Sequence, residues 1–160
     1  MIKLEYKVLR FVGTLSRAIN STSDSKYKRF GLQKGQYMFI TRVCENPGIN
    51  FIELSDMLKV DKATTTKAVK KLIDIGYLNK EQDENDKRGY KLNPTPKALV
   101  IYEKIMAEES KQLEISFKGF SEEEKKIATD LIEKMSENIE EYWLKVKNKK
   151  SREKNENSSK

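Results

Sequence analysis

Apolar residues in the first 60 positions recur at spacings of three and four, the pattern of amphipathic helices packed by one face. The first run, Leu4–Ile19, precedes a stretch rich in Ser and Thr that predicts its end. A second run starts at Gly31 and closes at residues 46–48, where Asn-Pro-Gly favours a turn. A third, shorter run extends from Ile49 to Val60. The pattern therefore predicts three helices before residue 61.

A fourth helix follows directly, with start and stop signals at both ends. Asp61 is a good N-cap for a helix over Lys62–Ile75. Gly76 stands where a left-handed residue commonly ends a helix. Two short helices joined by a tight turn make a helix-turn-helix.

Beyond Gly76 the pattern changes to that of a hairpin. Residues 77–80 and 90–92 predict two short strands, and the charged segment 83–89 predicts the tip between them. Pro94 and Pro96 prevent the second strand from continuing. A β-hairpin directly behind a helix-turn-helix is a wing.

Two further helices are predicted in the C-terminal third of the chain. One extends over about 97–117, and Ser121 with Glu124 predicts a capping box that begins the other. The first helix and these two have long apolar stripes that the central unit cannot cover, so we expect them to bury against a second copy. The expected fold is mainly α with a small β-hairpin wing: a winged helix-turn-helix with N- and C-terminal dimerisation helices. The expected divisions are an N-terminal helix (1–30), a DNA-binding lobe (31–96), dimerisation helices (97–147) and a disordered basic tail (148–160).

Composition narrows the function further. The chain has 160 residues and a net charge of +7, and the tail from Lys145 onward supplies most of the surplus. No apolar run is long enough for a membrane span, and the N-terminus lacks a signal-peptide pattern, so we expect a soluble cytoplasmic protein. One cysteine excludes a disulfide within the chain, and the absence of histidine excludes a histidine-based triad and removes the commonest metal ligand. Glycine-rich phosphate loops are also absent from the sequence, so we expect neither an enzyme nor a cofactor.

The fourth helix carries the strongest chemical signal. Thr65, Val69 and Leu72 share its apolar face, and the stretch 62–72 holds four lysines and no acid. Small residues let a helix approach base edges in a major groove, and lysines reach bases or phosphates. A solvated polar face is the alternative, but successive threonines are poor choices for one. The predicted DNA contacts on this helix are Lys62, Ala63, Thr64, Thr66, Lys67 and Lys70.

The wing offers Asp86, Lys87 and Arg88 as further DNA contacts. A hairpin-borne arginine suits a narrow minor groove, where the negative potential is strongest. Asp86 and Arg88 also suit a structural pair within the hairpin, and the two interpretations are compatible. Acidic residues in the wing, Asp83 and Glu84 besides Asp86, keep a second hypothesis open: a winged-helix protein-interaction module without DNA sequence specificity.

The run from Leu54 to Leu72, followed by Gly76-Tyr77-Leu78 and Asp86-Lys87-Arg88, resembles the MarR (multiple antibiotic resistance regulator) family. The resemblance implies a homodimer that binds a pseudo-palindromic operator in double-stranded DNA, represses nearby genes and releases DNA when a small-molecule effector or an oxidant binds. The sequence departs from the family pattern behind the wing, where Pro94-Thr95 and Ala98 replace the usual Leu-Thr and Gly. It also has Lys67 where many members have arginine, and lysine lacks the bidentate fork for guanine.

Two features are candidates for a switch. Cys44 stands at helical spacing from apolar neighbours, which is typical of a small buried filler, and oxidant-sensing relatives carry their cysteine in the first helix instead. An effector pocket between the dimerisation helices and the lobe would draw on Phe11, Tyr37 or Phe39, although aromatics at helical spacing also suit a plain core. No metal site is expected, because zinc-sensing relatives use histidine.

Overall fold

The computed structural model describes residues 6–84 and 89–157. Its helices are α1 (Val8–Tyr27), α2 (Gln36–Glu45), α3 (Phe51–Met57), α4 (Lys62–Asp74), α5 (Pro96–Ser116) and α6 (Glu122–Asn157), with a 3₁₀ turn at Lys28–Phe30. Its strands are β1 (Ile49–Asn50), β2 (Leu78–Gln82) and β3 (Tyr90–Pro94), which form an antiparallel sheet with β3 in the middle. The predicted class, mainly α with a small β wing, is confirmed. Within the described ranges, no helix is long and apolar enough to cross a membrane.

Helix α1 continues through the Ser/Thr-rich stretch that was expected to end it at Ile19. The Thr22 hydroxyl donates back to the carbonyl oxygen of Ala18 at 2.9 Å, so it does not compete for the helix backbone. Ser23 is buried, and its hydroxyl oxygen accepts a hydrogen bond from the Gln112 side chain on α5 at 3.1 Å. Tertiary contacts therefore override the local preference of these residues for a turn.

Strand β1 occupies the start of the segment that was predicted to be wholly helical. Ile49 pairs with Leu92 and Asn50 with Lys91 of β3. The Asn50 side chain then accepts hydrogen bonds from the backbone N–H groups of Ile52 and Glu53, both at 2.9 Å, and caps α3. A two-residue strand is too short to produce a period in the sequence, which is why the prediction missed it.

Helix α4 has the ends that the sequence predicts. Asp61 caps its start, and Gly76 follows its end with a φ of 78°. Thr65, Val69 and Leu72 are fully buried, as their spacing predicted. The core that they join also takes residues from α2, α3, the sheet and α5, among them Tyr37, Ile40, Val43, Leu54, Leu78, Leu92, Ile101 and Ile105.

The start of α5 is tied to the end of α4 through Thr95. Its hydroxyl donates towards the carbonyl oxygens of Gly76 at 2.8 Å and Tyr77 at 3.1 Å, and its oxygen accepts the N–H of Ala98 at 3.2 Å. Lys97 adds a hydrogen bond from Nζ to the carbonyl oxygen of Ile75 at 2.7 Å. Ala98 is fully buried, so its methyl group is accommodated where the family usually has glycine.

Helix α6 begins at the predicted capping box. The Glu124 N–H donates to the Ser121 hydroxyl oxygen at 3.1 Å, and the Ser121 N–H donates to the Glu124 carboxylate at 2.8 Å. The helix continues to Asn157, past position 147, where we expected a disordered tail to start. Six of the ten residues at 148–157 are Lys, Arg or Glu, which favour a helix, and although the other four are Asn and Ser, neither Gly nor Pro is present to stop it.

The chain divides into two units, Met1–Gln112 and Leu113–Lys160. In the first, α1 leaves large apolar side chains exposed, among them Leu9, Phe11 and Leu15. In the second, α6 does the same with Ile127, Leu131, Ile132, Ile139 and Tyr142. Exposed apolar rows of this length are uncommon on a monomeric protein surface.

Candidate nucleic-acid interface

One face of α4 is exposed along its whole length, opposite the buried face. Every residue of this helix that was predicted to contact DNA lies on the exposed side: Lys62, Ala63, Thr64, Thr66, Lys67 and Lys70. Ala63, Thr66, Lys67 and Lys70 follow the spacing of one helical stripe. The exposed face therefore carries the small side chains of Ala63 and Thr66 in its N-terminal half, and the lysines at 67 and 70 follow them towards the C-terminus.

This face is strongly positive. Between the cap Asp61 and Asp74 the helix contains no acidic residue. The Asp61 carboxylate is itself engaged, since it accepts from the Thr64 N–H at 2.8 Å and from the Thr64 hydroxyl at 2.9 Å. Among the described residues, Lys67 and Lys70 form no ion pair, so their charges face solvent. Such a surface attracts a polyanion.

The three successive threonines of α4 all donate their hydroxyl hydrogens within the protein. Thr64 donates to the Asp61 carboxylate, Thr65 to the Asp61 carbonyl oxygen at 3.2 Å, and Thr66 to the Lys62 carbonyl oxygen at 2.8 Å. Thr64 and Thr66, which the sequence predicts as DNA contacts, therefore have no hydroxyl hydrogen left to donate to a base. The signal that was available is that Thr in a helix commonly bonds the carbonyl one turn earlier.

The turn between α3 and α4 holds the two helices at a fixed angle. The Ser55 hydroxyl donates to the Val60 carbonyl oxygen at 2.7 Å, and the Val60 N–H donates to the Ser55 carbonyl oxygen at 3.0 Å. Between them Lys59 has a φ of 54°, in the left-handed region that favours glycine. A left-handed conformation at a lysine has no sequence signature, so this role of Lys59 could not be predicted.

The base of the wing is a regular hairpin. The Asp83 N–H donates to the Gly89 carbonyl oxygen at 3.0 Å, and the Lys91 ammonium lies 3.2 Å from the Asp83 carboxylate. Lys80 stacks on the Tyr90 ring with its nitrogen 4.1 Å from the ring centre. Asp83 is thus neutralised by a neighbour in the same hairpin. The predicted contacts Asp86, Lys87 and Arg88 lie outside the described residues.

A groove of about 630 Å³ separates α4 from the wing. Thr66 and Lys70 line one side, and Asn79 and Lys80 line the other. Phe51, at the start of α3, also lines it. The exposed face of α4 and the base of the wing therefore border the same groove.

Comparison with known proteins agrees with this geometry. The model of the MarR family matches residues 32–90. The uncharacterized HTH-type transcriptional regulator YybA of Bacillus subtilis (strain 168) is 38% identical over 140 residues, which cover 88% of this chain and 93% of that protein. This chain belongs to the MarR family. It is a winged-helix transcriptional regulator of that family.

Solved structures of MarR-family proteins have the same fold. A MarR protein from Peptoclostridium difficile DA00132 is 61% identical, with a TM-score of 0.85 over 92% of this chain and 97% of that one. A putative MarR family transcriptional regulator from Listeria monocytogenes, complexed with 26mer DNA, is 37% identical, with a TM-score of 0.86 over 92% of this chain and 96% of that one. The match extends well beyond the winged lobe.

The residues that the sequence offers for an oxidant response (Cys44) and for an effector pocket (Phe11, Tyr37 and Phe39) differ in how far they are buried in this MarR-family chain. Cys44 is a partly buried free thiol, and burial, with a smaller effect of the Glu45 carboxylate, raises its pKa to about 11. Tyr37 and Phe39 are buried in the core, whereas Phe11 is 70% exposed on α1. The Tyr37 hydroxyl donates to the Asn20 side chain at 2.8 Å, and burial raises its pKa. The structure therefore places Tyr37 and Phe39 in the core and Phe11 on the surface.

A second groove, of about 880 Å³, lies along the C-terminal half of α1 and the segment that leads to α2. Its lining includes Arg17, Lys28 and Lys34 as cations and Asp24 as the acid. The Asp24 carboxylate accepts the Gly35 N–H at 2.7 Å, so it is partly engaged. In the part of the chain that the structure describes, no group of three or more acidic or Cys side chains could hold a metal ion.

Proposed function

We propose that this MarR-family chain is a cytoplasmic repressor that binds a pseudo-palindromic DNA operator as a homodimer. The observation that carries the proposal is the exposed, acid-free face of α4, with Ala63 and Thr66 beside Lys67 and Lys70. A B-DNA major groove admits one α-helix, small side chains permit close approach to base edges, and lysines reach bases or phosphates. Two copies related by a two-fold axis would read half-sites about one helical turn apart.

The wing supplies the second contact of each subunit in this proposal. Arg88 enters the minor groove beside the half-site, with Asp86 orienting it and Lys87 near the phosphates. The ion pair between Lys91 and Asp83 supports this, because it removes one negative charge that would otherwise oppose the DNA backbone. Loss of the arginine in Arg88→Ala is expected to weaken operator binding by about 1–3 kcal/mol.

The relative from Listeria monocytogenes, crystallised with 26mer DNA, supports DNA as the partner, since it is 37% identical over most of both chains. Release by a small-molecule effector is the second part of the proposal. The groove along α1 is large enough for a small ligand at about 880 Å³. Its three cations against a single acid would suit an anionic compound.

Fluorescence anisotropy tests the proposal directly. The purified full chain is titrated into labelled DNA from upstream of its own gene and into a scrambled duplex, at several salt concentrations. We expect nanomolar binding to the first, at least ~10³-fold tighter than to the second. The logarithm of the affinity should fall steeply with the logarithm of the salt concentration.

A matched pair of variants distinguishes the contribution of the α4 lysines to DNA affinity from the effect of surface charge elsewhere. Lys70→Ala should reduce the salt slope by about one, as expected for a lost phosphate contact. Lys126→Ala removes an exposed lysine from α6, on the side of the helix opposite the apolar row, and should leave slope and affinity unchanged. Equal, weak binding to both duplexes would overturn the proposal and leave a winged-helix module that binds protein partners.

A further inference from the structure

The side chain of Thr66 offers an unusual combination of groups at the surface of α4. A hydroxyl has one hydrogen to donate and two lone pairs to accept with. In Thr66 the hydrogen is directed to the Lys62 carbonyl oxygen, at a distance of 2.8 Å between the oxygens. What the exposed side chain retains is an acceptor oxygen and a methyl group.

The internal hydrogen bond also fixes the direction of the methyl group. Threonine in a helix divides between two χ1 rotamers, and the bond to the carbonyl one turn earlier selects between them. Once the oxygen is directed to the Lys62 carbonyl, the position of the γ-methyl follows. Ala63, one turn earlier on the same exposed stripe, adds a second methyl group.

A methyl group beside an acceptor has a specific complement among the base edges of a major groove. Thymine presents its C5 methyl group, and the adenine paired with it presents an amino donor. Guanine presents two acceptors, N7 and O6, and a threonine without a free hydroxyl hydrogen cannot donate to either. The Thr66 oxygen can accept from the amino group of adenine or of cytosine, so this hydrogen bond does not distinguish the two base pairs. The methyl group does, because thymine alone presents a methyl group for it to pack against.

We infer that Thr66 determines base selectivity by packing its γ-methyl group against the C5 methyl of a thymine in each half-site. The inference deepens the proposed function and rests on it, since it names the base feature that α4 reads. Lysines 67 and 70 then contribute affinity, and Thr66 contributes the preference for thymine at one position.

The experiment starts from a duplex selected by the full chain from a library of 30 random base pairs. Each thymine of that duplex is replaced in turn by deoxyuridine, which removes only the C5 methyl group. For the wild-type protein, one thymine in each half-site should respond. Replacing that thymine in a single half-site should weaken binding by about fourfold, the value of one buried methyl contact. Replacement in both half-sites should weaken it by about 15-fold.

Two variants at the same position identify the contacting side chain. Thr66→Ser keeps the hydroxyl and loses the methyl group, so the sensitive thymine should become insensitive to replacement by deoxyuridine. Thr66→Val keeps a methyl group and loses the hydroxyl, so the fourfold loss should persist. The matched control is Thr129→Ser on α6, because Thr129 makes the same bond to the Lys125 carbonyl oxygen at 2.8 Å. This control should behave as the wild type.

Two results would overturn the inference while leaving the proposed function intact: no thymine of the selected duplex responds to loss of its methyl group, or Thr66→Ser responds as strongly as the wild type. If the selection enriches no duplex over random DNA, the proposed function fails, and the inference with it. Thermal unfolding of each variant confirms that the comparison is between folded proteins.

Discussion

At the scale of single residues, the lobe contains one strained backbone position and one protected thiol. Lys59 adopts a positive φ in the turn between α3 and α4, where any residue with a Cβ has an unfavourable contact with its own backbone. Cys44 lies partly buried beside Glu45, in surroundings that favour the neutral thiol. Both residues have consequences that can be measured on the free protein.

Replacing Lys59 by glycine should stabilise the fold and weaken DNA binding together. Relief of the left-handed strain is expected to raise the free energy of unfolding by about 0.5–1 kcal/mol, after allowing for the extra flexibility of glycine in the unfolded chain. Loss of the positive charge next to α4 should lower the affinity for DNA. Urea denaturation and anisotropy measure the two effects. Lys59→Ala is the control, because it removes the charge but keeps the strain, and a stability gain there would contradict the explanation.

Cys44 should react slowly with thiol reagents in the native protein. Its pKa is raised from 9.0 to about 11, and the thiolate is the reactive form, so the reactive fraction at pH 8 falls by about 100-fold. The rate of reaction with a disulfide reagent is compared in buffer and in guanidinium chloride. We expect the unfolded chain to react about 100 times faster. Equal rates would show a reactive thiol and revive a redox role for this residue.

At the scale of elements, residues that cap or stop a helix were readable from the sequence, and residues that respond to tertiary contacts were not. Asp61 and Ser121 define the starts of α4 and α6 because their side chains bond to backbone N–H groups of the same helix. The end of α1 was missed because Ser23 is held by Gln112, which lies far away in the sequence. The exposed face of α4 followed from its period, whereas the hydroxyl bond of Thr66 had only a weak signal in the sequence, the tendency of helical threonine to bond the carbonyl oxygen one turn earlier.

The cap of α4 should contribute measurably to stability. Asp61→Ala removes the acceptor for the Thr64 N–H and is expected to lower the free energy of unfolding by about 1 kcal/mol. Asp61→Asn retains a side-chain oxygen at the same place and should keep most of that stability. Chemical denaturation of the two variants beside the wild type gives the comparison. Equal losses in both variants would point to the charge of Asp61, not to its capping bond.

At the scale of the whole molecule, the main feature is that α1 and α6 each leave a row of apolar side chains exposed to water. Leu9, Phe11 and Leu15 on α1 are each more than half exposed. On α6, Leu131, Ile139 and Tyr142 are exposed to a similar degree. A second copy of the chain would remove these surfaces from water, which is why the proposed regulator is a dimer.

A charged residue introduced among the exposed apolar side chains of α6 should therefore weaken the association of the two proposed subunits. Leu131→Glu would bury a carboxylate in an apolar interface, so we expect the dissociation constant of the dimer to rise by at least about 100-fold. Light scattering coupled to size exclusion measures the mass directly. Lys126→Glu, on the side of α6 opposite the apolar row, is the control for the added negative charge. A wild-type chain that elutes as a monomer would contradict the dimer itself.

The junction at Thr95 has a mechanical consequence for the lobe. The first turn of α5 is fastened to the carbonyl groups that follow α4, through the Thr95 hydroxyl and the Lys97 ammonium. Helix α5 extends about 30 Å from this joint, at about 1.5 Å per residue. Its first three turns also pack into the core through Ala98, Ile101 and Ile105. A change in the direction of α5 at this junction must therefore break these hydrogen bonds or move the end of α4, and with it the exposed face.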